Sequence, residues 1–470
     1  MNLSASLLRQ LENKSLSPNQ KAELRCQLAR EYEDAGEHEA AREVMGELWQ
    51  RIGEQPKIEG LEQETAGEVL LRAGVLTGWI GSTQQITNAQ EVAKNLLSQS
   101  ISIFESLRYE RKILEAQTEL ALCYWRTGAY DDARIILRSV LARLTTDNEL
   151  KAKAILRAGI VESGAGCYSE ALRILTDTAP LFQKINSHVL KGSYHNQLAI
   201  IFETLAAKEQ KEDYFDRAFV EYEAASFHFE EAGHKRYLSH VENNLGILLY
   251  RASKYKEAYR RLDRARRLAE SLKDRMHTAR IDETRARVFL AQKRNIEAEK
   301  AAKSSAIALE AGGHQALLAE ALITRGKALA RLTHYEQARF TLLHAIEISE
   351  QTGAMNRAGE AALVIVRELG GRFEEVQSLS TRLPLLKELR RYEHDLISNL
   401  SSTRAAALPM QHGYYKRLIS IFHTSSNTVI KTFSNSGLRK KSVQNANRLF
   451  VQTVDFLCKK HYLCKATANM

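Results

Sequence analysis

The chain has 470 residues and a net charge of +10, with 44% hydrophobic and 26% charged residues, proportions typical of a soluble folded protein. It has only 5 prolines, which favours a chain that is helical nearly throughout, because proline breaks helix interiors. We see no apolar run long enough for a membrane span, no secretory leader and no disulfide-like spacing among the 5 cysteines, so we expect a cytoplasmic protein.

The excess positive charge is confined to the last part of the chain. Residues 371–470 hold 16 Lys and Arg against 6 Asp and Glu, whereas residues 1–370 hold 51 of each sign. The composition therefore predicts two regions, a charge-balanced domain over 1–370 and a basic tail over 371–470.

The first elements in chain order are short. Residues 1–16 predict a helix, and Ser17 with Pro18 predicts the capped start of the next one. Residues 52–60 predict a loop, and the sequence GSTQQITNAQ, after Trp79, predicts an inserted connection. A charged insertion, KEQKED, predicts a longer first helix or a longer turn in a later unit.

The best-defined stretch is residues 238–273, which predicts two amphipathic helices joined by a tight turn. Small residues, Gly246 and Ala258, stand where the two helix backbones approach each other. Large residues fill the space between them, among them Leu249, Tyr255 and Leu262. Such a unit cannot bury its apolar face alone, so we expect further copies on both sides.

Eight alanines hold equivalent positions in such units, each opening a small-x-x-x-large pattern in a second helix. They are Ala41, Ala93, Ala133, Ala171, Ala218, Ala258, Ala298 and Ala338. The last four recur with a period of 40, and an aromatic residue precedes five of the eight by three positions. The helix over 354–369 predicts an incomplete ninth unit or a cap.

This pattern of small, large and aromatic residues resembles the tetratricopeptide repeat (TPR), a helix-turn-helix unit. The resemblance covers roughly residues 20–369 and implies an all-α, TPR-like superhelical solenoid of about eight repeats, followed by a basic helical tail. The period of 40 exceeds the 34 of the common repeat, so each unit should have longer helices.

The TPR resemblance also implies a binding groove, because first helices line the concave surface of TPR arrays. Amide side chains near the small-residue position suit the backbone of an extended peptide, and basic ones suit carboxylates. The candidates for partner binding are Asn196, Gln197, Asn243, Asn244, Arg280, Arg287, Arg325 and Lys327. The alternative is that these are ordinary solvated side chains.

We find no catalytic or cofactor-binding motif. The chain has neither a phosphate-binding G-x-x-x-x-G-K-[ST] loop nor H-E-x-x-H. Cys458, His461 and Cys464 offer three soft ligands, but a structural zinc site needs a fourth and usually paired spacing. We therefore expect a non-enzymatic protein without a metal or cofactor.

The tail has a weaker pattern of its own. The sequence YEHDLISNLSSTRAAALPM is similar to the opening of a Fis-type helix-turn-helix, although the expected turn is replaced by Pro409 and Met410. The candidates for nucleic-acid contact are Lys416, Arg417, Arg439, Lys440 and Lys441. Nucleic-acid binding, docking to a protein, and a basic extension without a specific role all stay open.

Two functional hypotheses follow. The first is a protein–protein interaction scaffold or sensor that takes a peptide or protein partner in the concave groove. The second is a bacterial-type transcription regulator, in which the solenoid senses a ligand and the tail contacts DNA.

Overall fold

The structure is a computed structural model, and it describes residues 3–13, 15–209 and 212–369. All regular secondary structure in these residues is helical, and it forms two compact units, unit 1 (Met1–Lys273) and unit 2 (Asp274–Met470). The predicted tail, 371–470, and all its candidate residues lie outside the described part of the chain. The predicted boundary between residues 370 and 371 lies outside that part as well.

Unit 1 contains fourteen α-helices within its described residues. They are α1 (Leu3–Leu11), α2 (Pro18–Asp34), α3 (His38–Met45), α4 (Gln63–Thr83), α5 (Ala89–Ser106), α6 (Glu110–Arg126), α7 (Tyr130–Arg143), α8 (Glu149–Gly164), α9 (Tyr168–Asp177), α10 (Ala179–Lys184), α11 (His188–Glu209), α12 (Glu212–Glu231), α13 (Lys235–Arg251) and α14 (Tyr255–Ser271), with a short 3-10 helix at Gly46–Leu48 after α3.

Unit 2 is described as far as residue 369. Its helices there are α15 (Arg275–Ala291), α16 (Asn295–Ala311), α17 (Gln315–Arg331), α18 (Tyr335–Gln351) and α19 (Met355–Leu369). The predicted helix over 354–369 is therefore confirmed as α19, which packs on α17 and α18.

The helices pack in consecutive pairs, as the repeat pattern predicts. The first helices of the pairs are α2, α4, α6, α8, α11, α13, α15 and α17, and the second helices are α3, α5, α7, α9, α12, α14, α16 and α18. All eight predicted anchor alanines lie on second helices and are 0% exposed. The predicted register and the all-α solenoid are confirmed.

The close approach of paired helices depends on small residues at fixed places. In unit 1, a Cβ atom added to Gly246 would lie 2.5 Å from Cγ of Leu262, and in unit 2 one added to Gly326 would lie 2.5 Å from Cγ of Leu342. Each leucine stands four residues after its anchor alanine and fills the space over the glycine. A larger residue at either glycine must displace that leucine.

The long repeat period comes from long helices and short turns. From α13 onward, successive helices begin half a repeat period apart, and all but α19 have 17 residues. The turn between helices contains one residue in the left-handed region, which is Ser253 after α13 and Thr333 after α17. This residue lets the next backbone N–H reach back to the helix end, as in the bond from Lys254 N to Leu249 O at 2.9 Å.

The predicted irregularities lie in unit 1. Ser17 caps α2 in a capping box with Gln20, and Pro18 is the first helical residue, as predicted. The expected ten-residue connection before the Ala93 helix is shorter, because α4 continues to Thr83 and α5 begins at Ala89. The charged insertion lengthens both helices of its pair, since α11 has 22 residues and α12 has 20.

None of the helices in the described ranges has the length and apolar content needed to cross a membrane.

Candidate functional site

The predicted groove residues of unit 1 lie on two consecutive first helices, α11 and α13. Gln197 is 8% exposed and Asn243 is 6% exposed. Asn196 and Asn244 are half-buried, and Asn244 hydrogen bonds to the hydroxyl group of Tyr222. Oδ1 of Asn196 and Oδ1 of Asn243 accept no hydrogen bond within the described residues.

The predicted basic residues of unit 2 lie on α15 and α17, and three of them form ion pairs. Nε of Arg287 lies 2.7 Å from Glu283 Oε1, Nε of Arg325 lies 3.0 Å from Glu299 Oε1, and Nζ of Lys327 lies 3.0 Å from Glu360 Oε1. Arg280 is exposed, and no ion pair to it is found in the described part of unit 2. Of the four, Arg280 is thus the side chain presented to solvent with its charge uncompensated.

Unit 1 closes on itself through a contact between segments 200 residues apart in sequence. Nε of Arg236, near the start of α13, donates to the carbonyl oxygen of Gly36 at 2.9 Å. Gly36 lies in the turn between α2 and α3 with φ of 74°, and a Cβ atom there would lie 2.3 Å from the ring of His234. Glycine is therefore required at this position for two reasons. Other residues disfavour this backbone conformation, and a Cβ atom would collide with the ring of His234.

An aromatic cluster supports this closing contact. The ring of His38 stacks on Trp79 with centroids 4.3 Å apart, and Trp79 lies 6.2 Å from the ring of Tyr237. The guanidinium group of Arg126 lies 5.4 Å from the Trp79 ring. These residues come from α3, α4, α6 and α13, so the cluster joins the beginning of the unit to its end.

Residues beside the closing contact help to line a partly open cavity of about 270 Å³ on the face formed by the first helices, which we call the inner face. Every first helix of unit 1 contributes to its walls. The lining residues are Arg30, Glu33, Asp34, His38, Val75, Trp79, Arg111, Glu115, Glu119, Glu149, Leu150, Lys153, Leu156, Arg157, Ser187, Val189, Leu190, Ser193, His234 and Tyr237. The cavity thus combines charges of both signs with aromatic and aliphatic surface.

A buried ion-pair network centred on Arg72 supports one wall. The Arg72 side chain is 3% exposed and lies 2.5 Å from Glu33, 3.2 Å from Glu68 and 2.8 Å from Glu115. Burial raises the pKa of Glu33 to about 7. Burial opposes ionisation of Glu115 as well, but Arg72 and the neighbouring cations outweigh it and lower that pKa to about 2.

A second group of charges lies between α6 and α8. Glu119 is 4% exposed and is shared by Lys153, at 2.6 Å, and Arg157, at 3.9 Å. These cations outweigh its burial and lower its pKa to about 2. Nε of Arg157 is buried without a hydrogen-bond acceptor, and burial together with the charge of Arg157 lowers the pKa of Arg126. Arg157 thus has a buried donor that no acceptor within the described residues satisfies.

The two histidines at the closing contact are held neutral. Burial lowers the pKa of His38 to about 3, with the charges of Arg236, His234 and Arg126 acting in the same direction. Burial and Arg236 lower the pKa of His234 to about 4. Protonation of either ring therefore opposes closure.

No protein-family model and no curated protein matches the sequence. Among solved structures, the apo form of RapI aligns over 83% of this chain and 99% of its own length, with a TM-score of 0.50 and 11% identity. A signal transduction ATPase with numerous domains from Pyrococcus horikoshii, which has a tetratricopeptide repeat sensor, aligns over 77% of this chain and 56% of its own, with a TM-score of 0.50 and 16% identity.

The fold is a TPR-like helical solenoid. At these identities the likeness shows the fold alone.

The sequence analysis missed the cavity of this TPR-like solenoid, although its register contained a signal. Arg72, Glu119 and Arg157 lie two residues before small residues of their first helices, the position that Asn244 holds before Gly246. Extending the alignment to the earlier units would have placed these charges on the inner face. The contact between Gly36 and Arg236 has no such signal, because it depends on the cumulative curvature of six pairs of helices.

Proposed function

We propose that this chain is a non-enzymatic cytoplasmic binding protein, a scaffold or sensor, that takes a peptide segment of a partner into the cavity of unit 1. The observation that carries the proposal is the cavity itself, which lies beside the contact of Gly36 with Arg236 and is lined by every first helix of the unit. Solenoids commonly use such inner surfaces for binding. The Pyrococcus horikoshii protein has a tetratricopeptide repeat sensor. That role is known for that protein, and it is consistent with the binding role proposed here.

The lining favours a peptide over an apolar small molecule. The cavity volume of about 270 Å³ lies just below the range of about 300–1,000 Å³ that is typical of small-ligand pockets, which suits a short segment rather than a folded domain. Arg157, whose Nε is buried without a hydrogen-bond acceptor, would pair with an acidic group of the segment. Trp79 and Leu156 offer apolar surface for a side chain next to that group.

The predicted groove residues of unit 1 would extend this site along its first helices. Gln197 follows the lining residue Ser193 by one helical turn on α11, so we propose that Asn196, Gln197, Asn243 and Asn244 contact the backbone of a longer segment. For unit 2, taken by itself, we propose Arg280, Arg287, Arg325 and Lys327 as contacts for a peptide. Arg280 is the strongest candidate of these four, because a carboxylate of the peptide could bind it without breaking an ion pair within the unit.

A selection experiment with a cavity-filling variant tests the proposal. A displayed library of random peptides is selected on the full chain, and the recovered peptides are tested against Ser193→Trp, which places a large ring in the cavity. We expect loss of binding in this variant and unchanged binding in Ser102→Trp, a matched change at an exposed position of α5. Equal binding by both variants, with folding retained, would reject the cavity as the site.

A second candidate function, contact with DNA, is favoured by one observation, the net charge of +10 over residues 371–470. We propose that this tail binds nucleic acid through Lys416, Arg417, Arg439, Lys440 and Lys441. A gel shift with the full chain, over a series of salt concentrations, should show binding that is lost when the five residues are changed to alanine. Binding that persists in that variant would exclude these residues as the contact.

A further inference from the structure

Three histidines and a glutamate form a continuous row between α11 and α12, which we call the histidine cluster. His188 and His195 lie two turns apart on α11, and Glu221 and His228 lie two turns apart on α12. Nδ1 of His188 lies 3.1 Å from Nδ1 of His228, and Nδ1 of His195 lies 2.6 Å from Oε2 of Glu221. The rings of His195 and His228 stack with centroids 5.5 Å apart, so the two pairs are joined.

The repeat does not require a histidine at the place of His228. This residue stands ten positions after its anchor alanine, Ala218. The three following second helices have apolar residues at that place, all of them buried or half-buried, and these are Leu268, Ala308 and Ile348. An apolar side chain therefore suits this contact between paired helices, and the histidine is a feature of α12 rather than of the fold.

The contact between His188 and His228 depends on the charge of both rings. One Nδ1 must donate a hydrogen and the other must accept it, so at least one of the two rings has to be neutral. When both rings are protonated, each Nδ1 carries a hydrogen, the bond is lost and two positive charges face each other. Burial lowers the pKa of His228 to about 4, and the charges of its neighbours act in the same direction.

The surroundings of His228 do not offset this second charge. Among the residues that the structure describes, the groups whose charges act on His228 are His195, His188 and Lys191, all on α11. The other helices that pack on this pair, α8, α9, α10 and α13, contribute no described charge of this kind. The carboxylate of the cluster, Glu221, already accepts the hydrogen of His195. Acidification therefore collects positive charge between the two helices.

The cluster lies beside a close approach of the two helices, where the first turns of α11 meet the last turns of α12; we call this contact the seam. A Cβ atom added to Gly192 would lie 2.8 Å from Cδ1 of Phe229, so the seam has no space for a group that moves inward. The same turns of α11 carry Val189, Leu190 and Ser193, which line the cavity of unit 1. A displacement of α11 at the seam therefore moves part of the cavity wall.

We propose that the histidine cluster is a pH switch, which holds the first turns of α11 against α12 at neutral pH and releases them in acid. At neutral pH, the bond of His188 with His228 and the bond of His195 with Glu221 join the two helices. Binding of the second proton by the pair of His188 and His228 breaks the first of these bonds and sets two cations against each other. The seam then opens, and the adjoining part of the cavity wall moves with α11.

Hydrogen exchange of the full chain at pH 7.5 and pH 5.5, corrected for the intrinsic effect of pH on exchange, tests the proposal. In the open seam His228 has its ordinary pKa near 6.5, whereas in the closed seam its pKa is about 4. The open seam therefore binds more protons below pH 6.5, and the equilibrium constant for opening should rise about tenfold between the two pH values. We expect the amides of residues 192–195 and 228–231 to lose about tenfold in protection.

The variant His228→Asn keeps a hydrogen-bonding group at the place of Nδ1 but cannot be protonated, so it should remove this dependence on pH. The matched control is His344→Asn, an exposed histidine of α18 in unit 2, which should retain the tenfold change at the seam. Protection in the parent that is equal at the two pH values, or a tenfold change that persists in His228→Asn, would overturn the proposal.

A pair of double variants tests the charge itself without a change of pH. His188→Lys with His228→Lys carries both positive charges at pH 7.5, whereas His188→Asn with His228→Asn carries neither. At pH 7.5 the double lysine variant should show at least tenfold lower protection at the seam than the double asparagine variant, with the protection of α15–α18 unchanged in both. Equal protection of the seam in the two variants would overturn the proposal.

Discussion

Unit 1 contains α-helices of 6 to 22 residues joined by connections of unequal length, whereas the helices of unit 2 up to residue 369 have 15 to 17 residues and begin at equal intervals. The irregular unit brings its second turn back against α13, and its first helices line a cavity. It also buries an arginine: Arg72 is 3% exposed, whereas the side chain of Arg287, an ion-paired arginine on a first helix of unit 2, is 35% exposed.

This comparison indicates that the same helical repeat can build a unit with a lined cavity, as in unit 1, or a regular array of paired helices, as in unit 2. In the regular unit, the cations of the first helices stay partly exposed while they pair with carboxylates of the same unit, such as Glu283 and Glu299. In the irregular unit, the first helices line one cavity, and the cation Arg72 is buried among its carboxylates. The cost of removing an ion-paired arginine should therefore differ between the two units, whereas the cost of overpacking a buried contact of the repeat should be the same in both.

The largest difference between the units should appear in the loss of unfolding free energy caused by Arg72→Met and by Arg287→Met. The first change leaves Glu33, Glu68 and Glu115 without their shared cation and should cost about 3–5 kcal/mol. The second removes the ion pairs of the partly exposed Arg287 with Glu283 and Glu320 and should cost less, about 1 kcal/mol. Denaturant unfolding followed by hydrogen exchange in α4 and α15 measures both, and equal costs would contradict the distinction between the units.

Substitutions at the anchor alanines of the two units should lower the free energy of unfolding by equal amounts. Replacing Ala258 in unit 1 or Ala338 in unit 2 by Leu overpacks a fully buried contact between paired helices and should cost about 1–3 kcal/mol in either case. Thermal unfolding of the two variants checks this. A variant as stable as the parent would show that its anchor alanine has been assigned to the wrong register.

The fold could be predicted from the sequence because each repeat contacts mainly its neighbours. The anchors Ala41 to Ala338 depend on local helix pairing, and the periodic pattern of small and large residues records it directly. The predicted groove residues were less certain, since burial of Asn243 and the ion pairs of Arg325 and Lys327 depend on side-chain geometry. The cavity could not be predicted, because Gly36 meets Arg236 only after small rotations add up over several repeats.

A pH effect on stability should appear at the closing contact of unit 1. The unfolded chain protonates His38 with a pKa near 6.5, but the folded chain does so only near 3, so stability falls as the pH decreases below 6.5. Between pH 6.5 and 5.5 this loss is about 1 kcal/mol for one histidine. His234 adds a similar loss, whereas Glu33, whose pKa is raised to about 7, gains stability over the same range.

The variant His38→Phe isolates the contribution of His38, because a phenyl ring keeps the stack on Trp79 without a titrating group. Denaturant unfolding at pH 6.5 and pH 5.5 should show that the parent loses about 1 kcal/mol more than this variant. The same loss in parent and variant would mean that protonation of His38 does not act on closure.

The smallest effect concerns the turns, which are alike in the two units. Ser253 and Thr333 hold the left-handed conformation with φ of 58° and 66°, which costs a residue with a Cβ atom roughly 1 kcal/mol. Ser253→Gly and Thr333→Gly should each raise stability by up to about 1 kcal/mol, with the larger gain at Thr333 because threonine is β-branched. The converse change, Gly313→Thr, serves as the matched control and should lower stability by a similar amount.

Hydrogen exchange of the full chain, with and without a peptide recovered in the selection described above, tests the central claim most directly. If the partner segment occupies the cavity of unit 1, added protection should appear in α2, α6, α8 and α13, and Ser193→Trp should abolish it there. Protection confined to α15–α19, or protection of α2 and α8 that persists in Ser193→Trp, would contradict the assignment of the cavity as the binding site.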